Sequence, residues 1–152
     1  MNGRFLRALF AFLALPGTVA FLVPLLVFAP HGLSSFVDRL GLVPLTTGGA
    51  LLLWCVREFY VMGRGTLAPW SPPQKIVISG PYRVSRNPMY IAVLLIVWGW
   101  AIGFRSWPLA AYAVALMVAF HWRVRLHEEP WLERTFGASW PAYKARVPRW
   151  LW

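Results

Sequence analysis

Residues 80–90 read GPYRVSRNPMY and residues 121–134 read HWRVRLHEEPWLER. Each stretch sets hydrogen-bonding side chains beside a long apolar run. Tyr82 and Tyr90 offer aromatic faces to a flat ring or to a cation. Asn87 and Tyr90 stand at i, i+3 and share a face if a helix starts there. Pro88 occupies a favoured first-turn position, and a helix beginning at it leaves backbone N–H groups unpaired, a favourable place for a carboxylate. Glu128 supplies a carboxylate for hydroxyls or an ammonium. Such a set suits a small ligand that carries a ring and charges of both signs.

Plainer readings compete with this one. RVSRNP also reads as the basic flank of a proline-started helix. Glu128 and Glu129 can pair with Arg125 at i+3 and i+4, although cation first is the poorer order on a helix. Trp140, Tyr143, Trp150 and Trp152 read as anchors at a water–lipid interface. His121 and His127 lack partners at metal-ligand spacing, so no metal is expected. Cys55 is the only cysteine and reads as a small buried hydrophobe, without a disulfide framework.

The elements that must hold these residues are apolar helices. Hydrophobic residues make up 59% of the 152-residue chain and charged ones 13%, about half the share usual in soluble proteins. Mean hydropathy is +0.55, and ten Trp suit two interfaces. The reading is an all-α integral membrane protein, a single membrane domain over 1–152 with about four transmembrane helices. The expected segments are 5–28, 40–62, 88–104 and 107–122, with 63–87 and 123–152 as cytoplasmic binding segments. The first is a retained helix kinked by Pro16 and Pro24. The last two form a hairpin, because the link 104–106 is short. Thr46-Thr47-Gly48-Gly49 and the Gly99/Gly103 pair allow close helix approach.

A net charge of +10 raises nucleic acid as a partner, but the basic residues fall singly at the ends of apolar segments. Placing the N-terminus, 63–87 and the tail on one side leaves only Arg39 and Arg105 on the other. That asymmetry makes the first side, with both termini, cytoplasmic. Membrane lipids, rather than nucleic acid, then account for the charge.

GPYRVSRNPMY resembles the G-x-Y-x-x-x-R-[HN]-P-x-Y signature of the isoprenylcysteine carboxyl methyltransferase family. The tail, with Glu128-Glu129, Phe136-Gly137, Tyr143 and Arg146-Val147-Pro148, is similar to that family's EE…FG…Y…RVP ending. The likeness covers roughly residues 63–150, and related phospholipid methyltransferases share the paired glutamates. It implies methyl transfer from S-adenosylmethionine to a lipophilic substrate that arrives from the bilayer. Carried over position by position, cofactor contacts fall on Gln74, Lys75, Ile76, Val77, Tyr82, Asn87, Pro88, Met89, Tyr90, Glu128 and Glu129. The family most often has histidine at the Asn87 position; asparagine donates and accepts but carries no proton to the reaction. The family's substrate-contacting arginine falls on Val124, so the adjacent Arg125 is the expected catalytic arginine, with Arg86 as the second choice.

A carboxylate acceptor is ionised at neutral pH and needs no base, whereas a phospholipid ammonium must first lose a proton. No lone His or Asp stands out as that base, although Glu129 or His127 offers one. Three readings stay open: a carboxyl O-methyltransferase, a phospholipid or amine N-methyltransferase on the same scaffold, and a non-enzymatic small membrane protein.

Overall fold

The computed structural model describes residues 13–28, 36–62 and 76–151. Among them the chain is entirely helical. A π-helical stretch Leu13–Leu22 runs into α1 (Val23–Phe28). After a 3₁₀ turn, Arg39–Gly41, come α2 (Leu42–Val61), a second 3₁₀ turn at Gly80–Arg83, and the hairpin α3 (Pro88–Gly103) and α4 (Trp107–Arg123). A π-turn, Val124–Glu128, carries α4 without a break into α5 (Glu129–Phe136), and α6 (Ser139–Lys144) folds back.

Two helical stretches are long and apolar enough to cross a membrane, Arg39–Val61 and Trp107–Phe136. Pro16–Leu26 and Pro88–Gly103 are apolar but shorter. The sixteen residues of α3 span about 24 Å at 1.5 Å each, short of a hydrocarbon core of about 30 Å.

Glycine decides how these helices meet. A Cβ on Gly48 would fall 2.8 Å from the Ala92 carbonyl oxygen, and one on Gly99 would fall 2.7 Å from the Leu45 backbone nitrogen. Gly41 and Gly103 are closed in the same way, Gly103 by the Phe36 ring. Of the small residues expected to allow close approach, Gly48 and Gly99 lie at the α2–α3 contact. Gly49 faces open space, and Thr46 and Thr47 donate back to their own helix, to the Leu42 and Val43 carbonyls at 2.8 Å. Beneath the α2–α3 contact Leu52, Ala92, Val93, Ile96, Val97, Ala113 and Ala20 form the core.

Prolines explain the irregular turns. Pro24 has no N–H for the Ala20 carbonyl, and that carbonyl instead accepts from Trp100 Nε1 at 3.0 Å. Pro130 likewise crowds the carbonyl four residues back, and the helix widens just before it, with Glu129 N–H donating to the Val124 carbonyl. This turn is why the fourth helix runs past the expected end at 122.

The far end of the hairpin closes tightly. Arg105 takes a left-handed conformation (φ 49°), while Ser106 N–H reaches back to the Ala101 carbonyl at 2.9 Å, the usual way to end a helix. Val37 and Asp38 N–H both donate to the Gly103 carbonyl at 2.9 and 3.0 Å, and Arg105 pairs with Asp38 at 3.3 Å.

Candidate functional site

The opposite end of the bundle gathers the residues singled out by sequence. Tyr90, in the first turn of α3, donates its hydroxyl to Glu128 Oε1. Arg123 Nε donates to both, to Tyr90 Oη at 3.1 Å and to Glu128 Oε1 at 2.9 Å. The Tyr90 ring lies 4.4 Å from that of Phe120. The cluster joins α3 to the π-turn and leaves Glu128 about a third exposed.

The wide turn selects the arginine. In a π-turn the backbone repeats at i, i+5, so Arg123 lies over Glu128. Arg125, expected there from α-helical spacing, is exposed and makes no hydrogen bond or ion pair with the described residues. The arginine that lies beside Glu128 is Arg123. Pro130 was the available signal, because a proline has no N–H for the carbonyl four residues back and crowds it.

Glu129 faces the other way. It accepts both Arg149 Nε at 2.8 Å and Arg149 Nη2 at 2.7 Å, and Arg86 Nη1 lies 2.9 Å from its Oε1. Arg86 is nearly buried, its guanidinium 5.3 Å from the centre of the Trp140 ring. Burial pulls the Arg86 guanidinium below its ordinary value and Glu129 opposes that pull. Arg86, expected as a catalytic residue, and Glu129, expected as a cofactor contact, pair with one another, and Glu129 also pairs with Arg149, while Arg86 Nε and Nη1 have no hydrogen-bond partner among the described residues. They are one buried ion cluster.

Around it the tail is tied to the loop before α3. Arg86 N–H donates to the Pro148 carbonyl at 2.9 Å. The Arg149 carbonyl accepts from Ser85 Oγ at 3.2 Å and Asn87 Nδ2 at 3.0 Å. Asn87 therefore uses its donor on backbone, a job that requires no proton transfer. Tyr143 Oη donates to the Tyr82 carbonyl at 2.7 Å. Burial holds the phenols of Tyr82 and Tyr143 above their ordinary range, so both stay neutral near pH 7. The expectation that Trp140 and Tyr143 are interfacial anchors is also corrected. They are 1% and 6% exposed and pack with Val147 against Ile76, Leu132 and Phe136. Trp150, by contrast, is partly exposed and donates to His121 Nδ1 at 3.4 Å; Trp152 lies outside the described residues.

Val77 and Tyr82 pack with Cys55, and Met89 lies against them. Pro88 is buried at the start of α3. Gln74 and Lys75 lie outside the described residues. The sequence reading also passed over Glu58. Its carboxylate is 4% exposed and accepts from Ser79 Oγ, Trp54 Nε1 at 3.2 Å and Arg57 Nη1 at 3.0 Å. Gly80 (φ 55°) sits so close that a Cβ would fall 2.8 Å from Trp54 Nε1. Glu58 thereby fixes the turn that carries Tyr82. The only hint in sequence was a lone acid four residues after Trp54.

This donor set can receive a small ligand that carries hydroxyls or an ammonium, an aromatic ring and a carboxylate. Glu128 can take hydroxyls or an ammonium, the Tyr90 and Phe120 rings offer apolar and cation-tolerant surface, and Arg123 offers the counter-charge for a carboxylate. Among the described residues no cluster of His, Cys, Asp and Glu could hold a metal ion. A family model described as phospholipid methyltransferase matches residues 39–139, a stretch that contains Tyr90, Arg123, Glu128 and Glu129. No curated protein and no solved structure matches the chain.

Proposed function

The chain belongs to the phospholipid methyltransferase family, and from that membership we propose that it is an S-adenosylmethionine-dependent enzyme methylating a carboxylate on a lipophilic acceptor, in the manner of isoprenylcysteine carboxyl methyltransferases. The observation that carries the cofactor reading is the Tyr90–Arg123–Glu128 cluster between α3 and the π-turn. The chemistry that bound S-adenosylmethionine supplies is a methyl group on a sulfonium, open to in-line displacement. The chain's own task is to align the acceptor and exclude water. In this reading Glu128 holds the polar part of the cofactor, Arg123 fixes Glu128 and Tyr90, and Tyr82 with Val77 and Met89 closes the apolar side. Gln74, Lys75 and Ile76 complete the binding segment.

The preference for a carboxylate acceptor rests on Glu129. Clamped between Arg86 and Arg149, it is held as an anion and is a poor proton acceptor, and His127 is exposed. Among the described residues neither Glu129 nor His127 is placed as a base for the acceptor, which a carboxylate nucleophile does not need and an ammonium does. The proposed setting is four membrane segments in one domain, both termini cytoplasmic, with the acceptor reaching the site from the bilayer.

The test is calorimetry of S-adenosylhomocysteine with the purified full chain, followed by labelled methyl transfer to lipophilic carboxylates and amines. Saturable binding with label on carboxylates is expected. Label on amines alone would move the assignment to N-methylation, and absence of binding would remove the enzyme reading.

A further inference from the structure

Segments 78–83 and 143–147 flank an open cleft of about 480 Å³ lined, among the described residues, by Ile78, Ser79, Arg83, Tyr143, Arg146 and Val147. None of these residues belongs to the Tyr90–Arg123–Glu128 cluster. Two arginines line the cleft, one from each wall, and among the described residues no acidic residue does. Arg83 is exposed and has no hydrogen bond or ion pair with the described residues. Among the described residues Arg146 engages only through its Nε, on the Ala142 carbonyl at 3.1 Å, and its terminal nitrogens have no partner there.

The other polar groups are already committed. Ser79 gives its proton to Glu58, and Tyr143 gives its own to the Tyr82 carbonyl at 2.7 Å. Glu58 stands behind Ser79, but Arg57 and Trp54 also engage its carboxylate, so it does not neutralise the cleft. The donors left to a ligand are therefore two arginine forks, whose planar geometry matches the oxygens of a phosphate. Ile78 and Val147 add apolar surface beside them. An oxyanion attached to an apolar body fits this combination better than a free polar solute.

We propose that this cleft binds a phosphate group presented at the membrane surface, as a second ligand distinct from the methyl acceptor. It is formed by the same tail that closes over α3, so its occupant would hold the tail against segment 78–83.

The experiment titrates short-chain phosphatidylglycerol into the full chain in neutral detergent, with inorganic phosphate as a separate arm. Wild type is compared with Arg83→Gln/Arg146→Gln and with a charge-matched control, Arg134→Gln/Lys144→Gln, both exposed. The cleft variant is expected to bind the lipid about ten-fold or more weakly, while the control binds as wild type does. Competition by inorganic phosphate would assign recognition to the phosphate alone; lipid binding without competition would assign it to headgroup and chain together. Equal lipid affinity in wild type and cleft variant, or equal loss in the control, would overturn the proposal. S-adenosylhomocysteine affinity, measured on the same samples, is expected to be unchanged in the cleft variant. The lipid readout involves no turnover, so it stands or falls separately from the methyl-transfer reading.

Discussion

Glu128 and Glu129 are adjacent in the chain yet serve different partners: Glu128 meets Tyr90 and Arg123 on the α3 side, while Glu129 is locked between Arg86 and Arg149. Their substitutions should separate accordingly. Glu129→Ala leaves the nearly buried Arg86 without its carboxylate and should cost about 3–5 kcal/mol of stability, as breaking buried ion pairs does. Glu128→Ala should leave the unfolding midpoint close to wild type. It should weaken S-adenosylhomocysteine by about one to two decades, the worth of a charge-assisted hydrogen bond. Thermal unfolding and calorimetry on the same preparations decide between the two roles.

The π-turn makes a sharp distinction between two arginines. Arg123→Ala removes the group that bonds both Tyr90 and Glu128, so cofactor affinity should fall at least about ten-fold. Arg125→Ala should change it less than about two-fold, because an exposed unpaired charge contributes little. The opposite ranking in calorimetry would contradict the observed turn.

Two neighbouring glycines on α2 should respond with opposite signs. Gly48→Ala drives a methyl into the Ala92 carbonyl and the Leu95 and Ile96 side chains, an overpacking that should cost about 1–3 kcal/mol. Gly49→Ala meets open space and should gain up to about 1 kcal/mol from helix propensity. Unfolding titrations in mixed detergent micelles measure both.

Topology can be read with two added cysteines, because the native Cys55 is fully buried. Val37→Cys, at an exposed position beside the hairpin turn, and Lys144→Cys, on α6, should label from opposite sides of intact vesicles. Lys144 should label from the cytoplasmic side. Labelling of both from one side would remove the proposed arrangement.

What the sequence made legible was local. Pro88 announced the start of α3, the short link 104–106 announced the hairpin, and Gly48 and Gly99 announced close helix approach without naming the partner helix. Tyr90 and Glu128 were legible as a pair of chemical types. Arg123 was not, because the reading assumed an α-helical repeat through a stretch that Pro130 widens. Trp140 and Tyr143 were misread for a different reason. An aromatic residue near a membrane surface looks alike whether it faces headgroups or folds inward, and only the return of α6 onto Ile76 decides. Glu58 had a similar ambiguity: its partner Ser79 lies 21 residues away, and no periodicity links them.

The bonds from Ser85, Arg86 and Asn87 to residues 148 and 149 also impose an order on biosynthesis. The carbonyls that satisfy this loop lie 62–64 residues further along the chain, so they are made well after α3. Helix insertion and site closure are therefore two events in time, the first driven by apolar length and the second by capture of the tail. A ribosome-stalled chain ending short of residue 148 should already resist extraction from the membrane while its residue-85 region remains open to protease. Release of the complete chain should then protect it.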